Sequence, residues 1–280
     1  MEYRSQQLDA SHVRSNPQHE PEGAHRLSWR HWLGTALPPL LVIAGLLLLW
    51  ELLVGWLALP DWLLPAPSQI GRTLVERLPI LQGHITITLF EALVGLALGF
   101  VVGFGLALAI DASGLVRRAL YPLLIVSQTI PIVAIAPLLI VGLGFGLLPK
   151  IIVVALVTFF PIAVNTVDGL QTADRDTVRL LLAMDASRWQ LLRLVRLPAA
   201  LPSILSGLKV AVTYSVIGAV LAEWIGANQG LGVYIARSLR SFRTDQVFVG
   251  ALVTSLLTLA LFGLVLALER WLTAWKRNTP

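Results

Sequence analysis

The sequence places a few polar and acidic side chains within long apolar stretches, and these are its first candidates for chemistry. Such groups are costly to bury in hydrocarbon, so each is a functional candidate by default. Gln128 and Tyr214 combine bulk with hydrogen-bonding capacity, which suits an aromatic, neutral, heterocyclic solute. For Glu91 and Glu223, snorkelling of the carboxylate to the outer interface of a membrane is the favoured alternative. The full set of candidates for lining a solute path is Glu91, Gln128, Asn165, Tyr214, Glu223 and Trp224.

The residues that catalysis or metal binding would need are missing or scattered. The chain has no cysteine, which excludes thiolate catalysis and cysteine-based zinc or iron–sulfur sites. A membrane-embedded hydrolase would need clustered His or Asp side chains, yet His84 is the only histidine beyond the first 32 residues. The sequence also lacks the G-x-x-x-x-G-K-[ST] pattern that cradles ATP phosphates. We therefore expect no catalytic residue, no metal and no cofactor bound by this chain.

The composition is that of a helical membrane protein. Of the 280 residues, 56% are hydrophobic and only 13% are charged, whereas a soluble domain has about 25% charged residues. The net charge of +5 is not concentrated on one face, so nucleic acid is not a predicted partner. The basic residues instead form short clusters between apolar runs of roughly 20 residues, the length that crosses a bilayer. The chain is predicted to be an all-α, multi-pass protein of the cell membrane.

Hydropathy divides the chain into a tail and six spans. Residues 1–32 are polar, and their histidines do not share a helix face, so they are predicted to form a disordered cytoplasmic tail. The region 33–280 is predicted to be the transmembrane domain. Pro131 and Pro137 are expected to bend the third span, and the glycines at 95, 99 and 103 to pack the second span closely against another helix. The predicted spans are 37–59, 86–110, 120–141, 151–167, 206–225 and 247–268.

The distribution of basic residues sets the orientation. Fifteen of the 21 Lys and Arg residues fall on the side that carries both termini and the loop after span four. Cytoplasmic loops carry an excess of Lys and Arg, so this side is predicted to be cytoplasmic.

The cytoplasmic loop 172–205 carries the clearest signals for the start and the end of helices in the chain. Asp174 and Asp176 suit the first turn of a helix, and Asp185 suits the left-handed residue that ends one. Ser187 and Gln190 form a capping-box pattern that predicts a second helix, ending before Pro198. The loop is either an interfacial helix on the lipid headgroups or a docking element for a soluble partner.

Two stretches resemble a known family. Residues 179–198 (RLLLAMDASRWQLLRLVRLP) are similar to the cytoplasmic loop of binding-protein-dependent ABC importer permeases, whose pattern is Glu-Ala-Ala, three residues, Gly, nine residues, Ile, one residue and Leu-Pro. Residues 218–232 (GAVLAEWIGANQGLG) resemble the nitrate, sulfonate and taurine permease group. Within that group the loop looks most like permeases for thiamine-pyrimidine precursors or riboflavin. The chain departs from the pattern at Arg179, where the family has Glu, and at Asp185, where it has Gly.

The resemblance implies a type I ABC importer permease fold and a set of partners. These are two copies of a separate ABC ATPase carrying ATP and Mg, an extracytoplasmic solute-binding protein docking near 60–84 and 226–246, and a second permease copy in a homodimer. The solute would be a vitamin-type heterocycle; a sulfonate, taurine or nitrate importer is the alternative, and a secondary transporter or channel without an ATPase is the alternative from another class. The residues implied in ATPase coupling are Asp176, Arg179, Leu182, Ala183, Met184, Asp185, Ala186, Ser187, Arg188 and Trp189.

Overall fold

The computed structural model describes residues 29–273, and their side chains from residue 37 onward. Every regular element in this part of the chain is helical, which confirms the predicted all-α class. The first helix begins at Trp29, so the end of the predicted tail is helical; the rest of the tail lies outside the described residues. The helices are α1 (Trp29–Trp56), α2 (Pro67–Ala112), α3 (Gly114–Ser127), α4 (Ile132–Leu143), α5 (Leu147–Leu170), α6 (Arg175–Ala183), α7 (Arg188–Leu191), α8 (Leu197–Gly226), α9 (Leu231–Arg240) and α10 (Thr244–Leu272), with a π-helical turn (Leu192–Arg196) between α7 and α8.

Five of the predicted spans are confirmed, with different boundaries, because five helices of the described residues are long and apolar enough to cross a membrane. The predicted third span is divided into α3 and α4, which meet at an angle of 95° and make a sixth crossing if the pair is counted as one broken span. The bend falls between Ser127 and Ile132, and Pro131 immediately precedes α4. Proline has no backbone N–H group to donate to the preceding turn, and it disfavours the helical conformation in the residue before it. The helix is therefore interrupted at this point. Pro137, in contrast, lies inside α4.

The second span is much longer than the predicted 86–110. Pro67 supplies a fixed helical φ at the first position of α2, and the helix continues for 46 residues through Pro79. Most of the outer segment 60–84 is therefore helical. The length criterion detects only the part of a helix that matches the hydrocarbon thickness, so it could not find this extension.

From Glu51 onward the core forms around α2, α5 and α8. The glycines at 95, 99 and 103 lie on the face of α2 that meets α5. A Cβ atom at Gly99 would lie 2.1 Å from Thr158 Oγ1, and one at Gly103 would lie 2.4 Å from the Phe159 carbonyl oxygen. The glycine repeat therefore permits close helix packing, as predicted. Residues 37–50 of α1 are apolar around the helix circumference, as expected for a helix in lipid.

Candidate coupling loop and transport path

The cytoplasmic loop begins with a capped helix. The Asp174 carboxylate accepts hydrogen bonds from the backbone N–H groups of Asp176, at 3.4 Å, and Thr177, at 2.9 Å. The Thr177 hydroxyl also donates to it, and these hydrogen bonds lower the pKa of Asp174 from its ordinary value. The first N–H groups of a helix have no acceptor within the helix, and here the carboxylate supplies one. This cap allows α6 to begin at Arg175. The predicted helix start is confirmed.

The same loop helix ends at the predicted left-handed residue. Asp185 has a φ of +59°, and the backbone N–H of Ala186 donates to the Leu181 carbonyl at 3.0 Å. This hydrogen bond closes the end of α6 after its last residue, Ala183. Asp is one of the few residues other than Gly that adopts this conformation readily, so it can replace the glycine of the family pattern.

The second loop helix starts as predicted but does not end as predicted. Ser187 Oγ accepts from the Gln190 backbone N–H at 3.3 Å, and Gln190 Oε1 accepts from the Ser187 backbone N–H at 2.7 Å, completing the capping box. The predicted end before Pro198 is wrong, because the π-helical turn leads directly into α8. The Leu197 backbone N–H donates to the Leu192 carbonyl, five residues back. This wider turn lets the helix continue into Pro198, which has no N–H to donate.

Most of the predicted coupling residues are exposed on this loop. Leu182, Met184 and Trp189 have exposed fractions of 53%, 70% and 64%. Exposed apolar side chains in such a group indicate a binding surface. The remaining members are also exposed except for Ala186, which is half-buried; they are Asp176, Arg179, Ala183, Asp185, Ser187 and Arg188.

The loop is joined to the end of α2 by one ion pair and one hydrogen bond. Arg196, in the π-helical turn, forms an ion pair of 2.7 Å with Asp111 near the end of α2. Arg188 donates to the Ala112 carbonyl oxygen at 3.5 Å. A displacement of the loop would therefore be transmitted to α2 as well as to α8.

The break between α3 and α4 opens a cavity that brings two predicted path residues together. The cavity has a volume of about 360 Å³, and both Gln128 and Tyr214 line it. Gln128 follows α3 at the break, whereas Tyr214 lies on α8. Phe159 of α5 adds an aromatic ring to the lining. A cavity of this size with mixed amide and aromatic walls fits a small organic solute.

Asn165 and Trp224 lie elsewhere. Asn165 Nδ2 donates to the Pro161 carbonyl at 2.8 Å, within α5. Its side chain faces α8, because a Cβ atom at Gly207 would lie 2.7 Å from Asn165 Cβ. Trp224 is about half-exposed near the outer end of α8, with its ring close to Gly232.

The two glutamates do not snorkel to the interface, which corrects the favoured interpretation. Glu91 and Glu223 have exposed fractions of 0% and 1%. Glu91 Oε1 forms an ion pair of 2.5 Å with the Nζ atom of Lys150, itself buried in the first turn of α5. The sequence prediction placed Lys150 in an outer loop, because span four was predicted to begin at residue 151. Burial of a carboxylate is tolerated here because the opposite charge is buried with it.

Glu223 is held in place by the segment that follows α8. Its Oε1 atom accepts from the Thr88 hydroxyl at 2.6 Å, and its Oε2 atom accepts from the Gly232 backbone N–H at 2.6 Å. The Leu231 backbone N–H donates to Thr88 Oγ1 at 2.8 Å, and the Gly230 backbone N–H donates to His84 Nδ1 at 2.9 Å. Side chains of α2 and α8 thus accept hydrogen bonds from the backbone N–H groups at the start of α9. Neither glutamate lines the cavity at the α3–α4 break.

Gly230 shows how tightly this segment is packed. Its φ is +124°, and a Cβ atom there would lie 2.1 Å from Glu223 Cδ. Only glycine adopts this backbone conformation readily and also leaves room for the Glu223 carboxyl group, because it has no Cβ atom. The Gly-Leu-Gly pattern was the available sequence signal for this contact, whereas nothing in the sequence singled out Thr88.

Similarity to known proteins agrees with this architecture. The family described as "Binding-protein-dependent transport system inner membrane component" matches residues 99–274. The chain is 40% identical to the formylaminopyrimidine transport permease protein ThiX of Halalkalibacterium halodurans over 244 residues, 87% of this chain and 97% of that protein. It is 35% identical to the riboflavin transport system permease protein RibX of Chloroflexus aurantiacus over 249 residues, 88% of this chain and 92% of that protein.

A solved structure supports the fold. An inward-facing structure of the MetNI methionine ABC transporter matches with a TM-score of 0.56 and 20% identity, over 68% of this chain and 97% of that one. This similarity indicates the type I importer permease fold, and the family match removes the alternative of a secondary transporter or channel without an ATPase. The chain therefore belongs to the family of binding-protein-dependent transport system inner membrane components, as the multi-pass permease subunit of an ATP-driven importer whose ATPase is a separate chain.

Proposed function

We propose that this permease transports a small, neutral heterocycle of the vitamin type through the cavity at the α3–α4 break. The observation that carries the proposal is the lining of that cavity. Gln128 and Tyr214 offer hydrogen bonds, Phe159 offers an aromatic face, and none of the described residues that line the cavity is charged. A flat, neutral ring with hydrogen-bonding edges matches these groups.

The names of the relatives support this class of solute. ThiX is named for formylaminopyrimidine and RibX for riboflavin, both of which are nitrogen heterocycles. The alternative is a sulfonate, taurine or nitrate, because the taurine transport system permease protein TauC of Escherichia coli is 28% identical over 264 residues. One feature favours the alternative: α4 begins at the cavity without a side-chain cap, and helix N-termini attract anions.

The proposed energy source is a pair of ATPase subunits bound to the exposed loop of α6 and α7. ATP and Mg would bind to those subunits. Their closure would pull the loop, and the ion pair between Arg196 and Asp111 would pass the displacement to α2. A solute-binding protein would dock on the outer side, near α9 and the start of α2. A second copy of the permease would complete the path in a homodimer.

The test compares uptake of three radiolabelled solutes by cells that produce the permease together with its ATPase and binding protein. The solutes are formylaminopyrimidine, riboflavin and taurine. Gln128→Leu and Tyr214→Phe are expected to lower uptake of a heterocycle several-fold, because each removes a hydrogen-bonding group from the cavity wall. Tyr121→Phe is the matched control, because Tyr121 packs against the cluster around Ala107 and Leu124.

The outcomes separate the two classes of solute. Uptake of formylaminopyrimidine or riboflavin that depends on Gln128 and Tyr214 but not on Tyr121 supports the proposal. Uptake of taurine alone would replace it with the sulfonate alternative. Equal uptake by the wild type and both cavity variants would show that the solute takes another path.

A further inference from the structure

A second cavity lies at the cytoplasmic end of the helices and is strongly basic. Its volume is about 510 Å³, and it is an open cavity lined by the ends of α2, α3 and α5, by the loop helix α6 and by the π-helical turn. Its charged lining consists of four arginines and a single acid: Arg117, Arg175, Arg179, Arg196 and Asp111. These groups carry a net charge of +3, although the cavity is only as large as a small-molecule site.

Two of the four arginines are held by short contacts to other elements of the chain, and the other two are not. Arg117 donates to Gln171 Oε1 at 2.9 Å, and Arg196 is paired with Asp111 at 2.7 Å. Arg175 has no hydrogen bond or ion pair to any described residue, and Arg179 has only a long contact of 3.4 Å with Asp176. Arg117 and Arg175 therefore border the cavity without a carboxylate partner, whereas Arg179 has only an exposed pair with Asp176 and Arg196 is neutralised by Asp111.

We propose that this cavity binds a phosphate group, either of an anionic phospholipid or of a free phosphate anion. Guanidinium groups bind phosphate oxygens in a two-point geometry, and several such groups around one cavity favour a dianion or a lipid headgroup. The cytoplasmic leaflet supplies anionic headgroups, and basic pockets between helices on that side bind them. The site is independent of the transported solute, because none of the residues of the α3–α4 cavity contributes to it.

The position of the cavity favours a small anion over an acidic protein surface. Arg175, Val178 and Arg179 are the residues of α6 that line the cavity, and the Arg179 side chain is largely exposed at its edge. The apolar side chains of Leu180 and Met184 are exposed and do not line the cavity, so they are the ones free to meet a docked protein. A phosphate bound here would connect α3 and the π-helical turn to α6, and so would brace the coupling loop against the membrane domain.

The experiment uses the purified complex of the permease and its ATPase. The first measurement is equilibrium binding of ³²P-orthophosphate in detergent. The second is native mass spectrometry after reconstitution into nanodiscs of phosphatidylcholine with or without phosphatidylglycerol, which counts retained lipids. The test variant is Arg117→Gln with Arg175→Gln. The matched control is Arg118→Gln with Arg270→Gln, which removes two exposed cytoplasmic charges outside the cavity.

The proposal predicts at least about a tenfold loss of phosphate binding or of phosphatidylglycerol retention in the test variant, and less than about a twofold change in the control. Competition between phosphatidylglycerol and orthophosphate identifies the lipid as the source, and orthophosphate binding unaffected by lipid identifies the free anion. Equal losses in both variants, or no saturable binding in the wild type, overturn the proposal. Loss of the ATPase from the test variant without any phosphate or lipid effect overturns it in favour of an acidic protein surface. Thermal unfolding of both variants confirms that they are folded.

Discussion

Glu223 fixes the start of a helix that follows it in the chain: its Oε2 atom accepts a 2.6 Å hydrogen bond from the backbone N–H of Gly232. The carboxyl group lies at the N-terminal end of α9, where backbone N–H groups have no acceptor within the helix. Its other oxygen accepts from Thr88 on α2. Three helices, α2, α8 and α9, therefore meet at one buried side chain, and the outer segment is held to the core by polar contacts.

The first prediction concerns this contact. Glu223→Ala leaves the Gly232 N–H without an acceptor and leaves the Thr88 hydroxyl only the His84 carbonyl at 3.1 Å, which should lower the free energy of unfolding by about 1–3 kcal/mol. Amide hydrogen exchange within α9 should accelerate, while exchange within α6 should not change. Glu76→Ala, at an exposed position on α2, is the control. If exchange accelerates equally in α6 and α9, Glu223 stabilises the whole fold and does not specifically hold α9.

The second prediction concerns the buried pair of Glu91 and Lys150. Lys150→Met leaves a carboxylate buried without its partner, and we expect a loss of about 3–5 kcal/mol in unfolding free energy. Combining it with Glu91→Leu should recover much of that loss, because the carboxylate that lost its partner is then removed as well. Thermal unfolding of the two single variants and the double variant measures the coupling. Arg179→Ala, which removes an exposed pair with Asp176, should cost less than about 1 kcal/mol. Additive losses in the double variant would contradict the pairing.

The third prediction separates the backbone conformation of Asp185 from its charge. Asp185→Gly and Asp185→Asn should retain ATP-driven uptake, because both residues tolerate the φ of +59°. Asp185→Val should lose most uptake while remaining in the membrane, because a β-branched residue is strained at positive φ. Uptake and membrane abundance are measured together for each variant. If Asp185→Asn is as damaging as Asp185→Val, the carboxylate itself is required.

The fourth prediction concerns the capping box. Ser187→Ala with Gln190→Ala removes both reciprocal hydrogen bonds and should destabilise the start of α7 by about 1 kcal/mol. We expect uptake to fall while the ATPase remains active, because the loop no longer transmits its movement. Ser255→Ala is the control, since that hydroxyl bonds only to a carbonyl of its own helix. Unchanged uptake in the double variant would exclude a coupling role for this turn.

These sites show which features follow from local sequence rules. Asp185 and the Ser187–Gln190 pair are set by backbone chemistry within a few residues, and each was predictable from the sequence. The ion pair of Glu91 and Lys150 joins residues 59 apart in sequence. Such a partner depends on how helices pack, and hydropathy placed Lys150 outside the span. The continuous helix through Pro198 was also missed, because a proline normally indicates a helix end and only the π-helical turn removes that constraint.

The fifth prediction uses two glycines on nearly opposite faces of α2, Gly103 and Gly105. A Cβ atom at Gly103 would lie 2.4 Å from the backbone carbonyl oxygen of Phe159, which cannot move without shifting α5. Gly103→Ala should therefore lower the unfolding free energy by about 1–3 kcal/mol, the usual cost of overpacking. At Gly105 no atom lies within 4 Å of the added Cβ, so Gly105→Ala should be neutral or stabilising, because alanine favours the helix by up to about 1 kcal/mol. Thermal unfolding in the same detergent measures both variants. Equal destabilisation would mean that the close approach of α2 to α5 is not what the glycine at 103 provides.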